Sequence, residues 1–121
     1  GIPLICDASS DLLSRPINCS KYALIYACAQ KNIGPTGITV VLIRKDLKRS
    51  ASVKPILLDY DTYLKHNSLY NTMPTFAVYV VWEVCRWLEE QGGLSTVAKR
   101  NEEKAALLYE TLDSLPFYRG H

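Results

Sequence analysis

Histidine is nearly missing from this 121-residue chain: there are two, His66 and His121, and neither lies near a cysteine in sequence. The four cysteines, Cys6, Cys19, Cys28 and Cys85, show no C-x-x-C spacing. These two shortages argue against a zinc site and favour free thiols in a reducing compartment, so the expected metal complement is none and the expected location is cytoplasmic. No apolar run approaches the ~20 residues that cross a bilayer, which excludes a membrane-spanning helix from the reading. An excess of one charge is also lacking. Fourteen Lys and Arg stand against twelve Asp and Glu, for a net charge of +2, without the basic stripe that nucleic-acid binding calls for. The one basic cluster, Lys45, Lys48, Arg49 and Lys54, is short, has no aromatic residues among it and reads as a solvated loop. There are no internal repeats and no low-complexity tract. An initiating methionine is absent: the chain opens Gly-Ile-Pro inside an apolar run and closes just after Phe117-Tyr118-Arg119. The expectation is a piece of a longer protein, incomplete at both ends.

What is present is an ordinary globular composition, 48% apolar, in a chain long enough for one domain with a core. Three apolar runs, "IPLIC" at 2–6, "ALIYAC" at 23–28 and "ITVVLI" at 38–43, do not alternate with polar residues. Such runs suit strands covered on both faces, as in α/β sheets. The stretch between the first two is polar and turn-rich, and residues 44–72 show no periodicity and read as a long loop. Then the pattern becomes helical. Thr72 can cap a helix with Pro74 in its first turn, "TFAVYVVWEVCRWLEEQ" follows, and Gly92-Gly93 stops it. Apolar residues wrap most of its circumference, which predicts a largely buried helix. A second helix is predicted from about Leu94 to Leu115, with Leu94, Val97, Ala98, Ala105, Leu108 and Leu112 on one stripe and Pro116 as its end. The order is strand, loop, strand, turn, strand, long loop, helix, helix, which fits the later part of a large α/β domain.

The chemistry concentrates at "AQKNIGPTG", residues 29–37. Lys31 follows an apolar strand directly, so its amine approaches a dry region. Desolvation favours the neutral amine, and a neutral amine can attack an aldehyde. Gly34 and Gly37 leave room for a flat ligand or a close backbone approach, and Pro35 stiffens the turn. Asp7 closes the first strand, where α/β folds place ligand-binding groups. One strand–loop–strand excursion can bring the two strand ends to the same edge. A carboxylate beside such a lysine is what pyridoxal phosphate requires, because it keeps the pyridine nitrogen protonated. On the residues alone, a solvent-exposed turn lysine and a capping aspartate remain the plainer readings, as does a simple helix cap for Asn71 and Thr72.

The stretch "DASSDLLSRPINCSKYALIYACAQKNIGPTG" resembles the cofactor-lysine region of the phosphoserine aminotransferases, a class V aminotransferase family of fold type I. The likeness extends along the chain through "ITVVLIRKDL", "LLDY", "SLYNTMPTF", "WLEEQGGL" and "FYRG". The A-Q-K-N-I-G-P core and the Y-N-T-x-P-T motif are highly specific, and Gln30 stands where cysteine desulfurases carry histidine. Cys28, Thr36 and Met73 depart from the family pattern, which has glycine, commonly alanine, and proline there. Residues 48–56 form a shorter loop than usual.

The resemblance implies an α/β fold, part of the large pyridoxal-phosphate-binding domain over 1–116, with 117–121 beginning the small C-terminal domain. It implies that Lys31 bonds to the cofactor and shuttles a proton, that Asp7 pairs with the pyridine nitrogen, and that Gln30 contacts the cofactor near its phosphate. It also implies that Asn71 and Thr72 hold the cofactor phosphate of a neighbouring subunit, in a homodimer with shared sites. The implied reaction transfers an amino group from glutamate to 3-phosphohydroxypyruvate in serine biosynthesis, with a related role in pyridoxine biosynthesis. The substrate-gripping arginines and the aromatic residue stacked on the cofactor are expected outside this chain, which is therefore expected to be inactive alone. A degenerate α/β interface domain and another class V aminotransferase are the alternatives.

Overall fold

The computed structural model describes residues 1–47 and 55–119. Of the basic cluster, Lys48, Arg49 and Lys54 lie outside the described residues, as do most of the shortened 48–56 loop and the last two residues of the 117–121 segment. Three short strands form one mixed sheet in the order β1 (Ile5–Asp7), β2 (Leu24–Cys28), β3 (Thr39–Ile43). β1 runs parallel to β2 with Asp7 opposite Tyr26, and β2 runs antiparallel to β3 with Tyr26 opposite Val41. β1 is shorter than the 2–6 run suggests and is shifted toward Asp7. Only the stretch facing β2 finds ladder partners, and Ile2, at 97% exposure, stands clear.

Expected coverage on both faces holds for β2 alone. Leu24, Ile25 and Ala27 are buried, whereas β1 and β3 contain no buried residue. The unbroken apolar runs therefore overstate how much of this sheet the chain itself covers. The core gathers on one face of β2, where Ile25 and Ala27 alternate inward. Ala8, Leu12, Ala29, Ile33, Ile38 and Ala77 complete it.

The 44–72 segment is not wholly a loop. A single 3₁₀ turn, Ile56–Leu58, leads to the short helix α1 (Tyr60–Lys65), whose start is capped by the Asp59 carboxylate accepting from the Asp61 N–H at 3.1 Å. Six residues offer too little periodicity to register as a helix in sequence.

α2 (Thr75–Glu90) and α3 (Gly93–Ser114) match the predicted pair closely. Two expectations about α2 need correction. Thr72 does not cap it: the helix starts at Thr75 with Pro74 at the capping position, because Met73 and Pro74 hold the chain extended. Nor is α2 largely buried. Only Ala77 and Leu88 are enclosed, while Phe76 is 77% and Trp82 53% exposed. No residue of α3 is buried, including the predicted stripe. Gly92 has φ +93 and so turns the chain between the two helices in the left-handed region that glycine favours. α3 is tied to the sheet side by the Asn101 amide, which donates to the Ser14 carbonyl at 3.0 Å.

Candidate active site

The segment after β2 is held from within. The Ala29 carbonyl accepts from the N–H groups of Ile33 and Gly34, both at 2.9 Å, and the Ala29 N–H donates to the Ile38 carbonyl at 3.0 Å. Ala29 and Ile33 are buried, and the Asn32 amide donates to the Leu12 carbonyl at 2.8 Å. Ala29–Lys31 consequently forms a single 3₁₀ turn whose outer residues, Gln30 and Lys31, are exposed. The expected dry surroundings of Lys31 are not supplied by the described residues. Its buried neighbours anchor the turn while its own side chain projects away, and its ammonium donates to the Ser10 hydroxyl at 3.3 Å. The glycine expectation resolves as a close approach: a Cβ on Gly34 would stand 2.8 Å from Cγ2 of Val81, so the turn packs directly on α2.

Asp7 reaches the same edge because β1 and β2 are parallel and both end there. Its Oδ1 accepts from the Ser9 N–H at 2.9 Å and from the Ser9 hydroxyl at 2.6 Å. The Ser9 hydroxyl lowers the carboxyl pKa most, and the Ser9 amide, the Tyr26 hydroxyl and the Lys31 charge lower it further, so Asp7 is held as a carboxylate. In return Asp7 raises the pKa of Tyr26, first by accepting its hydroxyl hydrogen bond and then by its charge. Ser9 also accepts from the Cys28 N–H at 3.0 Å, tying the ends of β1 and β2 together. Cys28 is half-buried with Sγ 3.8 Å from the Thr39 hydroxyl, packed as a strand residue rather than crowding Lys31.

Asn71 and Thr72 stand elsewhere. They line a cleft of about 820 Å³ between β3 and α1, with Thr39 and Val41 as its floor and Tyr60 and Tyr63 among its walls. Neither Asp7 nor Lys31 lines it. The row Asp7–Tyr26–Val41 nevertheless crosses the sheet in register, and opposed residues share a face. Asp7 and Val41, which floors the cleft, therefore lie on one face of the sheet.

The reading of the residues missed Ser9 and Tyr26. Ser9 was legible as Asp-x-Ser, a spacing at which a serine returns to its own strand-end carboxylate. Tyr26 was not, because its partnership depends on strand register. Among the described residues, no group of three or more His, Cys, Asp or Glu is placed to hold a metal ion, and no helix is long and apolar enough to cross a membrane.

The family model described as aminotransferase class-V matches residues 1–120. The chain belongs to the class V aminotransferase family. Within it, the chain is similar to phosphoserine aminotransferases: 54% identical to that of Geobacillus kaustophilus over 99% of this chain, and 54% identical to that of Niallia circulans over 98%. The alignments cover 34% and 33% of those two proteins, so the chain spans about a third of the length of the curated relatives it matches. Two solved structures agree. The phosphoserine aminotransferase from Bacillus circulans subsp. alkalophilus superposes with a TM-score of 0.89 at 51% identity, covering 94% of this chain and 32% of that one. The PLP-bound phosphoserine aminotransferase from Trichomonas vaginalis gives 0.89 at 48% identity, with the same coverages. The fold is therefore α/β, one part of the phosphoserine aminotransferase architecture.

Proposed function

We propose that the whole protein is a phosphoserine aminotransferase and that this chain supplies its lysine, its ring-nitrogen carboxylate and its phosphate donors. One observation carries the reading: a carboxylate held ionised at the end of β1 lies within the field of an exposed lysine at the end of β2. The donor set fits pyridoxal phosphate. Asp7 offers an anion to a ring cation, Lys31 an amine to an aldehyde, and Asn71 with Thr72 amide and hydroxyl donors to a phosphate. When bound, that cofactor supplies the electron sink for bond breaking at the substrate's α-carbon. Asp7 holds the proton at the ring nitrogen. Lys31 carries a proton at Nζ to and from the substrate carbon, a transfer that contributes roughly 10²–10⁴-fold where a side chain is correctly placed. Gln30, exposed beside Lys31 on the turn, would contact the cofactor near its phosphate.

Asn71 and Thr72 line a cleft that neither Asp7 nor Lys31 lines, which supports a homodimer in which each copy lends its phosphate donors to the other's site. The relatives' identity supports glutamate and 3-phosphohydroxypyruvate as substrates. It also supports assigning 1–116 to the large domain and 117–121 to the start of the small one, in a cytoplasmic enzyme. The test uses full-length protein loaded with pyridoxal phosphate. Lys31→Ala is expected to abolish the imine absorbance band that marks a cofactor bonded to lysine, and glutamate turnover with it. Co-assembly of Lys31→Ala chains with Asn71→Ala/Thr72→Ala chains should restore about a quarter of the activity, as random pairing of a two-fold dimer predicts. An unchanged band in Lys31→Ala would dispose of the lysine assignment, and no restoration would dispose of the shared site.

A further inference from the structure

We propose that Ser9 is a positioning residue of this site: its hydroxyl clamps the Asp7 carboxylate to the backbone at the end of β2, so that the cofactor's ring nitrogen meets a carboxylate already aimed. The inference rests on the pyridoxal phosphate reading above. The Ser9 hydroxyl has one proton to give. It accepts from the Cys28 N–H at 3.0 Å, which leaves that proton for Asp7 Oδ1 at 2.6 Å. The direction of the hydroxyl is thus fixed by its neighbours. The Ser9 N–H adds a second bond to the same oxygen at 2.9 Å, the Tyr26 hydroxyl on β2 donates to the same carboxylate and the Lys31 charge faces it, so Ser9 supplies two of the three bonds that hold an otherwise exposed side chain. The same pair of bonds, from the Ser20 N–H and hydroxyl to Asn18 Oδ1, closes an ordinary turn in this chain, so the pair by itself is only what a turn needs. The link to Cys28 exceeds that need, because Cys28 is the residue directly before the Ala29–Lys31 turn. One hydroxyl therefore sets the carboxylate against the strand that delivers the lysine. Ser9 thus acts through Asp7.

The test loads full-length protein with pyridoxal phosphate carrying ¹⁵N in its ring. The ring-nitrogen chemical shift is followed against pH, and cofactor affinity is measured, in the unmodified protein, Ser9→Ala and Ser9→Thr. Ser9→Ala is expected to lower the pH at which the ring nitrogen loses its proton by about one unit and to weaken cofactor binding about tenfold, the scale of one charge-assisted hydrogen bond. Ser9→Thr, which keeps the hydroxyl, is expected to restore both, whereas a merely structural role would leave the ring-nitrogen titration unmoved. A Ser9→Ala protein with unmodified titration and affinity overturns the proposal. Should Ser9→Ala fail to fold, a structure of the unmodified holoprotein decides: a Ser9 hydroxyl within hydrogen-bond reach of Asp7 supports the clamp, and one beyond about 3.5 Å removes it. Absence of any Lys31-dependent cofactor signal in the unmodified protein defeats the cofactor reading and this proposal with it. A normal Lys31-dependent signal with an unaltered Ser9→Ala defeats this proposal alone.

Discussion

The edge of the sheet that carries Asp7 and Lys31 is ordered by its own residues, whereas the helix pair α2–α3 turns most of its apolar surface outward. At the edge, each functional side chain rises from a backbone fixed by buried alanines, Ile33 and cross-strand hydrogen bonds. In the helices, aromatic residues such as Phe76 and Trp82 remain more than half exposed, and none of the α3 side chains is buried. The difference teaches where this chain is self-sufficient. The hold on the carboxylate is local, set by strand pairing, Ser9 and Tyr26. The apolar residues of the helices stay largely uncovered by the described residues of a chain about a third as long as its relatives.

That contrast can be broken by substitution in the 121-residue chain, with urea denaturation as the measurement. The largest effect is expected at Ile25, which is 2% exposed in the centre of β2. Ile25→Ala should cost about 2–5 kcal/mol, while Leu108→Ala, at a position 57% exposed on α3, should stay within about 0.5 kcal/mol. Equal costs would erase the distinction between the two regions. Next comes the join between them. Gly34→Ala sets a Cβ against the Val81 side chain and should cost about 1–3 kcal/mol, with much of that regained in the Gly34→Ala/Val81→Ala double variant. Strict additivity of the two changes would mean that the turn and α2 do not bear on each other.

The smallest effect concerns pH. The folded chain lowers the Asp7 pKa, chiefly through the Ser9 hydroxyl. Its contribution to stability is therefore complete above the unfolded value of about 3.9 and is lost as pH falls through the lower folded value. Asp7→Asn should be less stable than the unmodified chain near neutrality, and the gap should close as the medium is acidified below about pH 4. A gap unchanged down to about pH 2 would show that ionisation of Asp7 is not what the edge stabilises.

Much of this architecture was readable in the residues. β2, β3, α2 and α3 fall within one or two positions of their apolar patterns, and the two strand ends could be read as able to reach one edge, which the parallel pairing of β1 and β2 supplies. Three features were not readable, for physical reasons. The start of α2 was displaced from Thr72 because a helix-capping residue type is not a cap when proline intervenes. The exposure of α2 and of Lys31 was misjudged because an apolar pattern records what a segment is built to touch, and the surfaces touched need not lie in the same chain. The Asp7–Tyr26 partnership needed strand register, which no local pattern encodes.

The claim on which all of this depends is that Lys31 and Asp7 grasp a single pyridoxal ring. Borohydride reduction of the full-length, cofactor-loaded protein, followed by proteolysis and mass mapping, tests it most directly. The account predicts one phosphopyridoxyl group per chain, on Lys31. Finding that group on any other lysine, or on none, would contradict it.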